Sequence, residues 1–554
     1  MTTRDAPRRL ARLSMALLAG ACFGAAGPRT VAAEPAALVA SHDAAIVDTE
    51  AGKLQGFIHH GIFTYRGIPY AKAERFMPPH KPVGWQGVRT ALSYGYICPQ
   101  VQSEKLNDIP EFVTPHRYWI TNEDCLNLNV WTPSISDGKH RPVMVWIHGG
   151  GFKNGSSIEQ VAYDGENISR KGDVVLVSVN HRLNSLGFLD LSAYGSAYKQ
   201  SANVGMMDLV AALQWVKANI ERFGGDPGNV TVFGQSGGGG KITTLMAAPA
   251  AKGLFHKAII ESGSIRGMGM TLTDRAATQK IADFTLQNLA IPASQVERIN
   301  TISYDRLQEA SEMALNQVSK LMGVEGLLGR GLTWAPVVDG EFLPAQPFDT
   351  SAPLQSKDIP LLVGSTLNEF PLAEFNPRTR ASSQWTPEQL QRYLKEAYGS
   401  SADAVRAAYQ KAYPGLKTSE WLYVDTIFRP GAIETAQMKS DQHGAPVFLY
   451  LFAWQSAVLD GWGRSGHCKE IPFVFNNVAL ADGTTGASPA AFALERTMTD
   501  AWVHFARSGT PSAAGLPAWP AYTRDNGATM IIDNKSEVRM HHDEDLMALL
   551  PPKH

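Results

Sequence analysis

Residues 230–238, Val230-Thr231-Val232-Phe233-Gly234-Gln235-Ser236-Gly237-Gly238, form a short β-branched and aromatic run ending in Gly-x-Ser-x-Gly. Where a strand must reverse sharply into a helix, the residue at the reversal is thrown outward. Glycines two before and two after it remove the side chains that would collide in the turn. The run therefore predicts a strand, a strained turn that presents Ser236 as a nucleophile, and a helix. An ordinary Gly-Ser turn is the competing reading in a chain with 50 glycines. The surrounding sequence separates the two.

Val143-Met144-Val145-Trp146-Ile147 and Val174-Val175-Leu176-Val177-Ser178-Val179 are almost continuously apolar, as expected of strands buried on both faces of a sheet. Residues 211–220 place apolar side chains at helical spacing directly before the Ser236 strand. Ile359-Pro360-Leu361-Leu362-Val363-Gly364 and Val447-Phe448-Leu449-Tyr450-Leu451-Phe452 add further strands. This alternation predicts an α/β fold with a large, mostly parallel central sheet flanked by helices. Short segments between 46 and 70, broken by glycine and proline, read as antiparallel strands. Residues 271–325 and 380–445 are strand-poor and rich in Ala, Leu and Gln, and read as helical cap or side-lobe insertions. At 554 residues, 44% hydrophobic and 18% charged, the chain has apolar material for a very large core. A lead-in over 34–45 and one catalytic domain over 46–550 follow from this pattern.

Arg4, Arg8, Arg9 and Arg12 precede an apolar run from Leu13 to Phe23 and the small residues Val31-Ala32-Ala33. That is the pattern of an export signal over 1–33, cleaved after Ala33, leading to a periplasmic or secreted protein. A twin-arginine route through Arg8-Arg9 and lipid attachment at Cys22 rank below simple cleavage. No later stretch is long and apolar enough to predict a stable membrane span. In an oxidising compartment Cys98 and Cys125 are the natural disulfide pair, leaving Cys468 unpaired; two buried free thiols are the alternative. A formal net charge of −2 gives no basic stripe, so nucleic acid is disfavoured as a partner. No Cys/His cluster has metal spacing, and His541-His542 reads as a solvated surface pair, so neither metal nor cofactor is expected.

A serine hydroxyl is a weak nucleophile near neutral pH. It needs a base, a group that orients the base, and donors for the oxyanion that forms. The strand ending at Ile147 runs into His148-Gly149-Gly150-Gly151-Phe152, where the absence of side chains lets backbone N–H groups face a substrate oxygen. Gly150, Gly151 and Gly237 are the expected donors, with a merely flexible glycine loop as the alternative; His148 itself reads as structural. When the chain order is serine, acid, histidine, the acid lies on a loop past a later strand. There Ser365-Thr366-Leu367-Asn368-Glu369 offers Glu369, because Asn368 carries no charge and Glu374 lies further out. A surface salt bridge is the competing role for Glu369. Among 15 histidines, His467 sits in a glycine-broken loop after the strand ending near Phe452, and is the preferred base. His504, on an expected helix, suits a packing role, and His443 ranks third.

These residues together resemble the type-B carboxylesterase and cholinesterase family of α/β-hydrolases, over nearly the whole chain after residue 33. The resemblance extends to Glu123-Asp124-Cys125-Leu126-Asn127-Leu128-Asn129-Val130, to Asn219-Ile220 through Phe223-Gly224-Gly225-Asp226-Pro227, and to Phe428-Arg429-Pro430. It also covers His467 followed by Glu470-Ile471-Pro472-Phe473-Val474-Phe475. It implies an α/β-hydrolase fold, a Ser236-Glu369-His467 triad, the Gly150, Gly151 and Gly237 oxyanion site, and a Cys98–Cys125 disulfide. The implied activity is hydrolysis of a small-molecule carboxylic ester through an acyl-enzyme.

Four positions depart from the family pattern. Gln235 and Gly237 stand where glutamate and alanine are usual, Phe370 replaces the glycine after the acid, and Cys468 replaces the glycine after the histidine. Loss of the carboxylate beside the serine weakens the case for a cationic alcohol such as choline. Two other functions remain in view, a non-catalytic binding module of the same fold and a triad hydrolase of lipids or peptides. The segment between Cys98 and Cys125, with Phe112, Pro115, Tyr118 and Trp119, is the expected wall of an apolar pocket, with ordinary core as the alternative.

Overall fold

The computed structural model describes residues 37–101, 108–264, 275–324, 331–370 and 385–550. The expected signal segment with Cys22, and Glu374, lie outside the described residues.

Twelve strands make one sheet: β1 Leu38–Val39, β2 Phe57–His59, β3 Ile62–Pro69, β4 Asn127–Thr132, β5 Arg141–Ile147, β6 Val175–Val179, β7 Gly225–Gln235, β8 Lys257–Glu261, β9 Leu361–Thr366, β10 Val447–Phe452, β11 Ala528–Ile532 and β12 Glu537–Met540. Their order across the sheet is β1-β2-β3-β4-β6-β5-β7-β8-β9-β10-β11-β12. Every pairing from β6 through β11 is parallel. Pairings at the two flanks, β1 to β6 and β11 to β12, are antiparallel. The expected antiparallel region divides between two sheets: Ile46–Thr49 and Gly52–Gln55 join Val88–Thr90 in a separate three-stranded sheet, while β2 and β3 join the large one.

Strands β5, β6 and β10 read as nearly continuous apolar runs because both faces are covered, and the period of two divides their side chains between two cores. Val143, Val145 and Ile147 of β5 enter one cluster with Val175, Val177, Val230, Val232 and Val363. Met144 and Trp146 enter the other with Leu176, Phe233, Leu362, Phe448 and Tyr450. Trp146 is fully buried against Tyr163, Phe233 and Phe475; truncating a side chain of that size to alanine costs about 3–5 kcal/mol.

Helix α1 (Val204–Asn219) leads into β7, and helix α2 (Gly237–Ala247) leaves it after a single residue, Ser236. Within the stretch expected to be helical after 271, helices Arg275–Asn288 and Tyr304–Met322 pack on one another. Between 380 and 445 lie helices Pro387–Tyr398 and Ala402–Ala412, followed by α3 (Phe428–Ser440). Helix α3 packs directly on β9 and β10, so that part of the stretch is a layer on the sheet rather than a lobe beside it. Its Arg429 is buried and pairs with Asp543 at 2.8 Å, tying the C-terminal segment to the sheet layer. Helix α4 (Pro489–Ser508) covers the other face with Trp502 and Phe505.

Cys98 and Cys125 form a disulfide with Cα atoms 5.0 Å apart, and Cys468 is free. His541 is exposed and pairs with Glu544 at 2.8 Å. His542 differs from the solvated expectation: it sits edge-on to Tyr413 with ring centroids 4.9 Å apart, and burial pushes its imidazole down to about 4. Among the described residues no helix is long and apolar enough to cross a membrane.

Candidate active site

β7 ends at Gln235 and α2 begins at Gly237, so Ser236 alone makes the reversal, at φ 56° and ψ −124°. A non-glycine residue held there stores about 1–3 kcal/mol of strain. The flanking glycines are explained by space. A Cβ on Gly234 would lie 2.4 Å from the Ile147 carbonyl oxygen, and one on Gly238 would lie 2.0 Å from the same atom. The Ser236 N–H donates to the Glu261 carbonyl at 2.8 Å, anchoring the turn to β8. As the residue capping α2, Ser236 stands where the orphan N–H groups of the first helical turn favour negative charge.

The glycine loop after β5 lies over this turn. Gly150 and Gly151 have φ of 75° and 63°, a region that favours glycine. A Cβ on Gly149 would stand 3.5 Å from the Ser236 Cβ. One on Gly237 would meet the Gly151 oxygen at 2.2 Å and its Cα and nitrogen at 2.5 Å. The Gly237 departure thus has a local cause: the loop occupies the space of a side chain. Among the described residues the N–H groups of Gly150, Gly151 and Gly237 donate no hydrogen bond.

Glu369 is fully buried at the end of the turn after β9. Its Oε2 meets His467 Nδ1 at 2.5 Å, and its Oε1 accepts from the Thr366 N–H at 2.7 Å and from the Ser262 hydroxyl. Backbone bonds zip the two loops together, from His467 N–H to Glu369 O at 2.7 Å and from Asn368 N–H to Ser465 O at 3.0 Å. Asn368 is thereby a tether, its side chain donating to the Tyr423 carbonyl at 2.8 Å. The structure brings Glu369 and His467 together. No hydrogen bond joins Ser236 to His467 among the described residues; the contact to the ring comes from Gln235, one residue earlier.

Of the departures from the family pattern, Gln235 and Phe370 lie on this imidazole and Cys468 holds Gln235. Gln235 Nε2 is 3.3 Å from both ring nitrogens, so it sits over the ring rather than along either lone pair. Cys468 donates to Gln235 Oε1 at 3.0 Å, and burial together with Glu470, Glu369 and Glu159 pushes its thiol well up, which keeps the donor proton in place. Phe370 and Phe428 lie against the same imidazole at centroid distances of 4.7 Å and 5.3 Å. Glu470 is buried below, its carboxyl driven up by burial and by Glu261 and Glu369. Asp425 is pushed up to about 7 by burial and then by Glu369, while backbone N–H groups from Ile427 to Arg429 pull it down.

Ser262, Lys241 and Phe428 were not legible as site residues in the sequence, since serine, lysine and phenylalanine carry no signal until the fold brings them near. His504 lies on α4, exposed, with Nδ1 2.7 Å from the Thr510 carbonyl oxygen, and His443 is exposed before β10. His148 is buried and stacked on His181 with centroids 5.0 Å apart. The disulfide segment reaches the site: its His116 bridges to Gln160, whose side chain hydrogen-bonds Cys468. Within that segment Phe112 and Tyr118 are exposed, while Trp119 packs edge-on to Tyr94.

Among the described residues one trio offers three metal-ligand atoms, His59, His60 and Glu166, within 4.8 Å of one another. Glu166 is already bonded to His59 at 2.5 Å and to the Arg170 guanidinium, so hydrogen bonding accounts for the trio without an ion.

Residues 43–548 match the sequence model of the carboxylesterase family. A para-nitrobenzyl esterase of Bacillus subtilis is 37% identical over 523 residues, spanning 92% of this chain and 99% of its own. A phenmedipham hydrolase of Pseudarthrobacter oxydans is 33% identical, spanning 89% of this chain and 96% of its own. Among solved structures, an esterase from anaerobic Clostridium hathewayi that can hydrolyse aliphatic aromatic polyesters superposes with a TM-score of 0.80 at 40% identity, covering 91% of this chain and 97% of its own.

Proposed function

The chain belongs to the carboxylesterase family and is a hydrolase of carboxylic esters with the α/β-hydrolase fold; we propose that it works through Ser236, Glu369 and His467 as an exported enzyme. In this reading His467 takes the Ser236 proton as the hydroxyl oxygen attacks the ester carbonyl carbon. The N–H groups of Gly150, Gly151 and Gly237 receive the resulting oxyanion. As the tetrahedral intermediate collapses, the bond to the alcohol oxygen breaks and His467 returns the proton to it. The same imidazole then removes a proton from water, which attacks the acyl-serine and frees the acid. Glu369 accepts from Nδ1–H throughout, fixing the tautomer and favouring the cationic ring.

One observation carries the reading: the imidazole has Glu369 Oε2 at 2.5 Å on one edge and the residue preceding the strained serine on its face. Ser236 Oγ and Nε2 need to close on each other as ester binds, a tightening common to catalytic hydrogen bonds. Ser236→Ala is expected to abolish p-nitrophenyl ester turnover with the unfolding temperature unchanged. A fluorophosphonate is expected to label the wild-type chain once, at Ser236. Retained turnover in the variant, or no labelling, would overturn the triad and favour a binding module.

Export rests on the 1–33 signal pattern and fits a chain with a Cys98–Cys125 disulfide. The natural ester is proposed to be apolar or aromatic. Ile109, Phe112, Tyr118 and Ile120 of the disulfide segment all expose large apolar surface, and that segment docks against the Gln160–Cys468 side of the site. An acyl series from acetate to benzoate, read as kcat/KM, tests it; a preference for short polar acyl groups would refute it.

A further inference from the structure

Lys241 stands five residues after Ser236, on α2, and its side chain is fully buried. A buried ammonium is costly unless its donors are met. Here Nζ donates to the carbonyl oxygens of His148 at 2.8 Å and Gly149 at 3.2 Å, and stands 5.8 Å from the centroid of the Phe152 ring. These acceptors and that ring all belong to the His148–Phe152 stretch. The C=O and N–H of one trans peptide point in opposite directions, and no described peptide is cis. Drawing the Gly149 carbonyl toward Lys241 therefore turns the Gly150 N–H away from it. The next peptide is tied in the same manner, because the Gly150 carbonyl accepts from the N–H groups of Asn154 at 2.9 Å and Lys153 at 3.3 Å, which turns out the Gly151 N–H. Each loop donor proposed for the oxyanion thus has its partner carbonyl held from behind.

We propose that Lys241 is a positioning residue for the oxyanion hole: hydrogen-bonded to the Gly149 carbonyl, it fixes and polarises the peptide that offers the Gly150 N–H. The inference rests on the oxyanion assignment above and extends it to a residue on the nucleophile's own helix. Ser236 and the Gly150 donor are thereby tied to one rigid element, α2, the first at its N-cap and the second through Lys241 in its interior. Burial pushes the Lys241 ammonium down to about 7, with Glu159 pulling the other way. A neutral amine still donates two hydrogen bonds, so the tie survives its loss of charge.

The test compares Lys241→Met, which keeps length and loses the donors, with Lys241→Gln, whose amide can donate to the same carbonyls. In Lys241→Met, kcat is expected to fall about 10- to 100-fold with KM within about twofold, as for loss of transition-state contacts alone. The Ki of a trifluoromethyl ketone, which needs the oxyanion donors once it has added the serine, is expected to rise by the same factor. Inhibition by the product alcohol is expected to stay unchanged. Lys241→Gln is expected to recover a large part of kcat. Unchanged kcat, or a fall that leaves the ketone's Ki untouched, overturns the proposal, as does failure of both variants to fold, which would make Lys241 a core ion. Ser236→Ala run alongside separates the failures: if it retains turnover the site reading is wrong, and if it alone is inactive only the role of Lys241 is.

Discussion

Gly237→Ala, which installs the residue more usual in this family, is the sharpest perturbation of the site. The added methyl would sit 2.2 Å from the Gly151 carbonyl oxygen and 2.5 Å from Gly151 Cα and nitrogen. All three are backbone atoms, so no side chain can swing aside. Reaching ordinary contact at 3.4 Å requires a movement of at least 1.2 Å (3.4 minus 2.2) between the loop and the start of α2. Alanine is favourable inside a helix by about 1 kcal/mol over glycine, but forcing backbone away from an added methyl costs about 1–3 kcal/mol, so the fold is expected to lose stability modestly. Catalysis is more sensitive: a misplacement of about 1 Å costs on the order of 100-fold in rate, and loss of one oxyanion donor about 100- to 1,000-fold. The expected result is a kcat for p-nitrophenyl butyrate lower by about 100-fold, KM changed little, and an unfolding temperature modestly below that of the wild type. A kcat within threefold of the wild type would refute the argument that the loop fills the methyl's place.

Glu369→Gln keeps the shape of the acid but leaves Nδ1–H without a carboxylate, and is expected to lower kcat by about 100- to 10,000-fold; near-normal turnover would remove Glu369 from the mechanism. Arg429→Leu strands the Asp543 carboxylate in the core and is expected to cost about 3–5 kcal/mol in denaturant unfolding, much of it recovered by adding Asp543→Leu. For Asp425 the sign runs toward lower stability at higher pH. Its folded pKa, about 7, lies above the unfolded value near 4, so the folded chain holds a proton that the unfolded chain has released across roughly pH 4 to 7. Asp425→Asn is expected to flatten the fall in unfolding free energy across that window, and a slope as steep as that of the wild type would refute the assignment.

Near-continuous apolar runs made the parallel sheet readable, because β5, β6 and β10 are buried along their whole length. Gly-x-Ser-x-Gly was readable because steric exclusion leaves glycine alone at 234 and 238. Glu369 and His467 followed from chain order and from loops placed after strands β9 and β10. What the sequence withheld was whatever depends on distance between segments far apart in the chain. Lys241 looked like one more helix residue, and nothing local reveals that its ammonium ends beneath His148 and Gly149. Gln235, Phe370 and Cys468 stood out only as separate departures; that Gln235 and Phe370 touch one imidazole while Cys468 holds Gln235 exists only in three dimensions. His542 misled because adjacency to His541 says nothing about which of the two turns inward. The antiparallel region near 46–70 divided between two sheets because strand propensity does not name a strand's partner.

The Arg429–Asp543 pair gives the last residues of the chain a reach beyond their own neighbourhood. Asp543 holds the first turn of α3, and the residue opening that turn, Phe428, is one of the two rings stacked on the imidazole. Trimming the protein ahead of Asp543, as is often done to tidy a terminus for purification or crystallisation, would slacken the seat of His467 while sparing every residue of the proposed triad. Clipping by a protease at that tail would dim the enzyme without touching its pocket.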